Sequence, residues 1–150
     1  MELSLLKTLK GIDSVAIDTS PFIYYIEEHK DYIRVIDPLF NLMGQSKIIA
    51  YTSVVTLIEV LTRPIEENNN ELVATYEKLL TSSENLILVD IDKQMGVESA
   101  KLRAKYNIRT PDAIQLAAGL VNGAKVFITN DANLKKIKEI KVVILDDFIQ

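Results

Sequence analysis

Short runs of Val, Ile and Leu alternate with longer stretches of helical periodicity from one end of the chain to the other. The apolar runs predict strands at about 14–17, 48–52, 86–90, 125–129 and 141–145. These runs are nearly continuous in apolarity, as expected of parallel strands covered on both faces. Helical patterns fall near 2–10, 21–27, 31–44, 54–62, 70–81, 93–105, 111–121 and 132–137. The alternation predicts an α/β protein with a central parallel sheet and helices on both faces. Connections are short, and Asn68-Asn69-Asn70 is the one polar patch that reads as a flexible loop. With 150 residues and no repeat or low-complexity tract, residues 1–150 read as a single domain with a full core.

Two helix starts carry their own signals. Ser20 precedes Pro21 and Thr110 precedes Pro111, so a capping hydroxyl is expected first and proline in the first helical position. Asp18 then falls in the turn after the first strand, and Asp112 in the first turn of its helix. Asp131 follows the run Val126-Phe127-Ile128-Thr129, so Asp18 and Asp131 are expected on one edge of the sheet. In open parallel sheets that edge, outside the strand carboxyl ends, is where ligands bind. Glu59 interrupts Val54, Val55, Leu57, Ile58, Val60 and Leu61, a pattern that predicts a largely buried helix. An ionised Glu in such a place needs a partner or a cation.

Each acid also has a structural reading. The structural reading of Glu59 is an ion pair with Arg63 one turn on, worth ~0.3–0.5 kcal/mol on a surface. Asp112 suits the helix dipole, Asp18 the turn into Ser20, and Asp131 the cap of the short helix after it. Asp92 reads as an N-cap, Asp146 and Asp147 as solvated, and Asp13 lies at the opposite end of the first strand. His29, the sole histidine, lies in a charged stretch and reads as solvated.

Composition narrows the chemistry. One His and no Cys exclude a thiolate metal site and disulfides, and argue against a His-based triad or zinc site. Carboxylates at strand ends without nitrogen or sulfur donors point to a hard cation and phosphate esters. The net charge of −4 argues against a general nucleic-acid coat protein. It is compatible with a nuclease that relies on bound cations and a local basic rim. No basic leader followed by an apolar run opens the chain, and no run approaches membrane-spanning length. A cytoplasmic protein without membrane attachment is expected.

The motifs together carry a family resemblance. Asp18-Thr19-Ser20, Thr56-Leu57-Ile58-Glu59-Val60-Leu61-Thr62-Arg63-Pro64, Arg103-Ala104-Lys105-Tyr106 with Thr110-Pro111-Asp112-Ala113-Ile114-Gln115-Leu116-Ala117, and Phe127-Ile128-Thr129-Asn130-Asp131 occur in order over about 12 to 146. In this the chain resembles the PIN-domain family, and within it the VapC-type toxin ribonucleases of toxin–antitoxin pairs. The resemblance implies a three-layer α/β/α sandwich with a five-stranded parallel sheet. It implies a Mg²⁺- or Mn²⁺-dependent endoribonuclease using one or two ions. The family's four acids fall on Asp18, Glu59, Asp112 and Asp131, and its small hydroxyls on Thr19 or Ser20 and on Thr129. A homodimer bound by a cognate antitoxin is implied as well.

For such a site we expect Asp18 and Asp112 as core ligands, Asp131 completing the set, and Glu59 orienting the attacking water or holding a second ion. Thr19, Ser20 or Thr129 would hold a water or a phosphate oxygen. Arg63 and Arg109 are the first candidates for RNA contacts, with Lys101, Arg103 and Lys105 behind them. Some of Phe22, Tyr24 and Tyr25 are expected to lie exposed as a partner surface, because this helix is more apolar than one sheet face requires. The alternative is a PIN-like RNA-binding or scaffold module without cleavage. A phosphoaspartyl phosphatase is disfavoured, since position 20 is Ser where that chemistry wants a second Asp.

Overall fold

A computed structural model describes residues 4–149. Its strands are β1 (Ser14–Ile17), β2 (Ile49–Ser53), β3 (Leu86–Val89), β4 (Val126–Thr129) and β5 (Lys141–Ile144). Each lies within one residue of the expected span. They form one parallel sheet in the order β3-β2-β1-β4-β5. The helices are α1 (Leu5–Thr8), α2 (Thr19–Ile26), α3 (Ile33–Gly44), α4 (Val54–Glu66), α5 (Asn70–Ser82), α6 (Lys93–Tyr106) and α7 (Thr110–Val121). Short 3-10 turns follow β4 (Ala132–Lys136) and β5 (Leu145–Phe148).

Alternation along the central strands explains the layering. Val15, Ile17, Val126 and Ile128 point into a core shared with α2, α3 and α5, through Phe22, Ile36, Leu39, Tyr76 and Leu80. Ala16 and Phe127 point the other way, into a core closed by α6 and α7. With both faces covered, no polar alternation is needed, and the strands read as continuous apolar runs. Helix α7 presses closest: a Cβ on Gly119 would lie 2.6 Å from the Ala16 Cβ. Its small residues, Ala113, Ala117, Ala118 and Gly119, therefore set the helix–sheet distance.

Several boundaries differ from expectation, for identifiable reasons. Asp18, not Ser20, caps α2: its Oδ1 accepts the Thr19 backbone N–H at 2.8 Å. The helix thus starts two residues earlier and takes Pro21 into its first turn, where a missing N–H costs nothing. Helix α7 likewise starts at Thr110, with Arg109 as cap residue and Pro111 in the first turn. Helix α4 continues past 62 to Glu66, because Pro64 removes one hydrogen bond but is itself buried. The helix expected over 2–10 is confined to Leu5–Thr8 among the described residues; positions 2 and 3 lie outside them. The 132–137 segment is 3-10 rather than α.

The chain builds outward from β1 to β2 and β3, then crosses back to place β4 on the other side of β1. The sheet's topological switch therefore lies between β1 and β4, and it is beyond the carboxyl ends at such a switch that open parallel sheets form their ligand-binding crevice. The Asp18 backbone N–H donates to the Ile128 carbonyl at 2.9 Å and fixes the two strand ends against each other.

Candidate active site

Asp18 leaves β1 at the floor of this crevice. Its Oδ2 accepts the Thr129 hydroxyl at 2.7 Å and its Oδ1 the Thr19 backbone N–H at 2.8 Å. The Thr129 hydroxyl in turn accepts the Asp131 backbone N–H at 3.1 Å, so one side chain links the ends of β1 and β4. Burial pushes the Asp18 carboxyl above its usual range, and repulsion from Asp112 and Glu59 pushes it further. The bonds from Thr129 and Thr19 oppose that rise without cancelling it. This is a carboxylate whose ionisation is costly until positive charge arrives.

The other three acids form the rim. Asp112 sits in the first turn of α7, 13% exposed, with Arg109 Nε 3.3 Å from its Oδ2. Asp131 caps the 3-10 turn by accepting the Asn133 backbone N–H at 3.0 Å, which is its structural reading fulfilled. Glu59 accepts the Thr19 hydroxyl at 2.6 Å. Arg109 is held protonated above all by Asp112, with further contributions from Glu59 and Asp131. Asp18 thus feels Asp112 and Glu59, while Arg109 feels Asp112, Glu59 and Asp131. Among the described residues, no three acidic side chains already converge as ligands for one ion.

Two readings of the sequence are corrected here. Helix α4 is not buried around its circumference: Val55, Thr56 and Val60 face inward, while Glu59 is exposed and its neighbour Ile58 is 58% exposed. Glu59 does not pair with Arg63, whose Nε bonds Glu67 instead at 2.8 Å with the side chain 85% exposed. Glu59 is therefore no buried charge in search of a partner; it is a rim carboxylate held by Thr19. The hydroxyls are also committed. The Thr129 proton goes to Asp18 and the Thr19 proton to Glu59, so these groups aim carboxylates rather than offering protons to water or phosphate. Ser20 lies half-buried in the first turn of α2.

The aromatic surface expected on α2 is absent as such. Phe22 is fully buried against Phe40, with ring centroids 5.7 Å apart. Tyr25 stacks on Phe40 at 3.9 Å, and Tyr24 stacks on Tyr32 at 4.2 Å. All three contacts reach α3 or its cap, and they use the apolar area that looked spare. His29 is half-buried, its ring against Tyr24 and Tyr32, not solvated. Asp146 is exposed but bonded, accepting the Tyr32 hydroxyl.

Sequence reasoning missed the buried polar side chains beneath the acids: Gln115, Thr56, Thr52 and Ser53. The Gln115 amide touches Ser53, Thr56, Thr19 and Asp18. A signal was present. Gln115 stands alone among Ala113, Ile114, Leu116 and Ala117, the same kind of interruption that drew attention to Glu59.

A family model for the PIN domain matches residues 15–140 of this chain. The chain belongs to the PIN-domain family. Solved structures agree on the fold. DNA-bound VapBC from Salmonella typhimurium aligns over 89% of this chain and 98% of that chain, at 20% identity and a TM-score of 0.68. A toxin–antitoxin complex from Klebsiella pneumoniae aligns over 89% and 98%, at 18% identity and a TM-score of 0.65. VapBC2 from Rickettsia felis, bound to a promoter DNA fragment, aligns over 87% and 97%, at 16% identity and a TM-score of 0.65. At these identities the likeness is one of fold. No curated protein matches the chain in sequence. Among the described residues of this PIN domain, no helix is long and apolar enough to cross a membrane.

Proposed function

We propose that residues 1–150 act as one nuclease domain that hydrolyses RNA phosphodiester bonds with the aid of Mg²⁺ or Mn²⁺, one or two ions. The observation that carries this reading is the half-buried Asp18 carboxylate, raised in pKa by desolvation and by repulsion from Asp112 and Glu59, with no buried Lys or Arg among the described residues to offset it. The donor set fits a hard cation: oxygen ligands alone, at the ligand-binding edge of a parallel sheet. Mg²⁺ takes one or two carboxylates directly and keeps several waters, so it does not require all four acids to close on one point. Asp18 and Asp112 would hold the ion, with Asp131 and Glu59 acting directly or through water. Such an ion supplies charge neutralisation at the phosphate and lowers the pKa of a water beside it.

The chain's own residues do the rest. Thr129 and Thr19 fix the two oxygens of Asp18, and Thr19 also aims Glu59 toward the crevice, where it can orient the attacking water. Arg109, 76% exposed and tethered at the rim only by Asp112, is placed to meet a phosphate once a cation takes over that carboxylate. Arg63, further along α4, is a second candidate for the RNA backbone.

As partners we propose an antitoxin and a second copy of the chain, since the fold relatives are toxin–antitoxin complexes. Tyr24 and Tyr25 are spoken for by α3. The exposed apolar side chains of α4, Ile58 and Ile65, two turns apart on one face, are better suited to meet an antitoxin segment. We place the protein in the cytoplasm. Purified protein incubated with RNA tests the activity: cleavage with Mg²⁺ or Mn²⁺ and none in excess EDTA is expected. RNA binding without cleavage at any metal concentration would favour a non-cleaving PIN-like module.

A further inference from the structure

We propose that Gln115 is a positioning residue of this site: through its side-chain amide it sets Asp18 and, by way of Thr19, Glu59. The inference rests on the metal-dependent reading above and concerns a residue that touches neither ion nor substrate.

The argument begins with the orientation of the amide. Gln115 is buried, 2% exposed. One end of its amide lies 3.2 Å from the Ser53 backbone nitrogen, which can only donate. That end is therefore the carbonyl, Oε1. The Ser53 hydroxyl donates to the same oxygen at 2.6 Å and accepts the Val55 backbone N–H at 3.2 Å. The amide nitrogen must then face the acidic crevice, and no flipped alternative satisfies Ser53.

From there the protons can be followed one by one. Nε2 lies 2.6 Å from the Thr56 hydroxyl, 3.1 Å from the Thr19 hydroxyl and 3.4 Å from Asp18 Oδ1. The Thr52 hydroxyl donates to the Ile17 carbonyl at 2.8 Å, so at 2.6 Å it accepts from Thr56. Thr56 has thus used its proton and accepts one from Gln115. The second amide proton is shared by Thr19 and Asp18. Thr19, having accepted it, spends its own proton on Glu59 at 2.6 Å. The chain Ser53–Gln115–Thr19–Glu59 has a single polarity and ends on one candidate metal ligand, with a branch from Gln115 to a second, Asp18.

A staple between helices would need only the Ser53 and Thr56 contacts. The remaining reach, to Thr19 and Asp18, joins the β2–α4 junction to the β1–α2 junction that carries Asp18. Helix α7 delivers Asp112 to the rim and, one turn later, Gln115 to the floor. Gln115 then grips the β2–α4 junction with its oxygen and the β1–α2 junction with its nitrogen. A Met or Leu of similar size would fill the same space without burying an amide, so packing alone does not account for the choice.

The test is Gln115→Met, which keeps volume and removes both ends of the amide. Mn²⁺ binding is measured by calorimetry without RNA, beside single-turnover cleavage. We expect Mn²⁺ affinity and kcat each to fall by about 10–100-fold, as for other residues that orient metal ligands, while KM for RNA is unchanged. Thr56→Ser, which keeps the hydroxyl, should restore what Thr56→Val loses. A Gln115→Met protein with wild-type Mn²⁺ affinity and kcat overturns the proposal alone. A wild-type chain that binds no Mn²⁺ overturns the metal site and this proposal with it. Should Gln115→Met not fold, the wild-type protein still decides: the Gln115 side-chain amide protons should exchange slowly and shift in NMR on Mg²⁺ addition. Fast exchange with no shift overturns the proposal.

Discussion

At the floor of the crevice, Asp18 has both carboxylate oxygens tied by short hydrogen bonds and rests on buried Thr129, Thr56 and Gln115. At the rim, Glu59, Asp112 and Asp131 have one described side-chain bond apiece, to Thr19, Arg109 and the Asn133 backbone N–H. The floor is preset by the fold, because its partners come from the ends of β1, β2 and β4 and from α7. The rim is free to adapt, because each of its acids has a single side-chain bond among the described residues and can change partner at little cost. The contrast suits a hydrated cation: one rigid carboxylate fixes where it sits, and looser ones adjust to its shell.

The largest effect should come from removing the floor carboxylate or the cation it serves. Asp18→Asn is expected to abolish RNA cleavage, as should EDTA, and Asp112→Asn should do nearly the same. The fold should survive. An Asn at 18 can keep its oxygen toward the Thr19 N–H and turn its nitrogen to Thr129, whose hydroxyl can rotate to accept. Normal turnover by Asp18→Asn at equal metal would end the case for Asp18 as a ligand, and a large fall in melting temperature would make it a structural residue.

Next should come the hydroxyl that joins floor to rim. Thr129→Val removes the bond to Asp18 Oδ2 and leaves the Asp131 backbone N–H without its acceptor. We expect cleavage to fall by about 10–100-fold and stability by about 1–3 kcal/mol. The corresponding change at the rim, Asp131→Asn, keeps an oxygen for the Asn133 N–H and should cost little stability. Equal stability losses in denaturant titrations of the two variants would erase the distinction between floor and rim.

The sequence made the sheet legible, and physical reasons mark where it stopped. Strands buried on both faces show as apolar runs, so all five were found to within one residue. Asp18 and Asp131 stood out because they follow two of those runs. Glu59 was misjudged because a list of apolar neighbours does not say which side of a helix faces the core; Ile58 and Ile65 of α4 face solvent. The Tyr24 and Tyr25 stacks were invisible because their partners, Tyr32 and Phe40, belong to α3 and its cap. Gln115 escaped notice for the same reason: its contacts come from Asp18, Thr19, Ser53 and Thr56, between 59 and 97 residues away in the chain. Local pattern identifies an element; which polar groups it meets is decided by topology.

A smaller effect concerns stability and pH in metal-free buffer. The Asp18 carboxyl lies above its ordinary value of 3.8 in the folded state. Between 3.8 and that raised value the native chain binds more protons than the unfolded chain, so stability falls as pH rises through the folded pKa. Stability should therefore be higher on the acid side of that window than at neutrality, so far as this group contributes. Asp18→Asn should flatten this part of the profile and leave the metal-free protein at neutral pH as stable or more so. Mg²⁺ should stabilise the wild type at neutral pH and do so less for the variant. Chemical denaturation across the window, with and without Mg²⁺, reads all three. A wild-type profile that rises with pH there would show that the hydrogen bonds from Thr129 and Thr19 outweigh burial.

The smallest effects should be those of the two arginines, and they differ from each other in a way that tests the rim. Arg109 pairs with Asp112 and feels Glu59 and Asp131, whereas Arg63 bonds Glu67 and is influenced by Glu27 and Glu66. Arg109 is thus part of the crevice, and Arg63 stands outside it on the same helix as Glu59. If an incoming cation releases Arg109 to a phosphate, Arg109→Ala should weaken RNA binding and lower the slope of log affinity against log salt by about 0.7. Metal affinity should rise slightly or stay level, since a competing positive charge has gone. Arg63→Ala should lose less affinity, and its salt slope should change by less than that of Arg109→Ala. Binding is best measured on RNA with Asp18→Asn in the background, so that cleavage does not intervene. Salt slopes unchanged in both variants would make both arginines purely structural partners of acids, and a larger change at Arg63 than at Arg109 would move the RNA path off the rim and along α4.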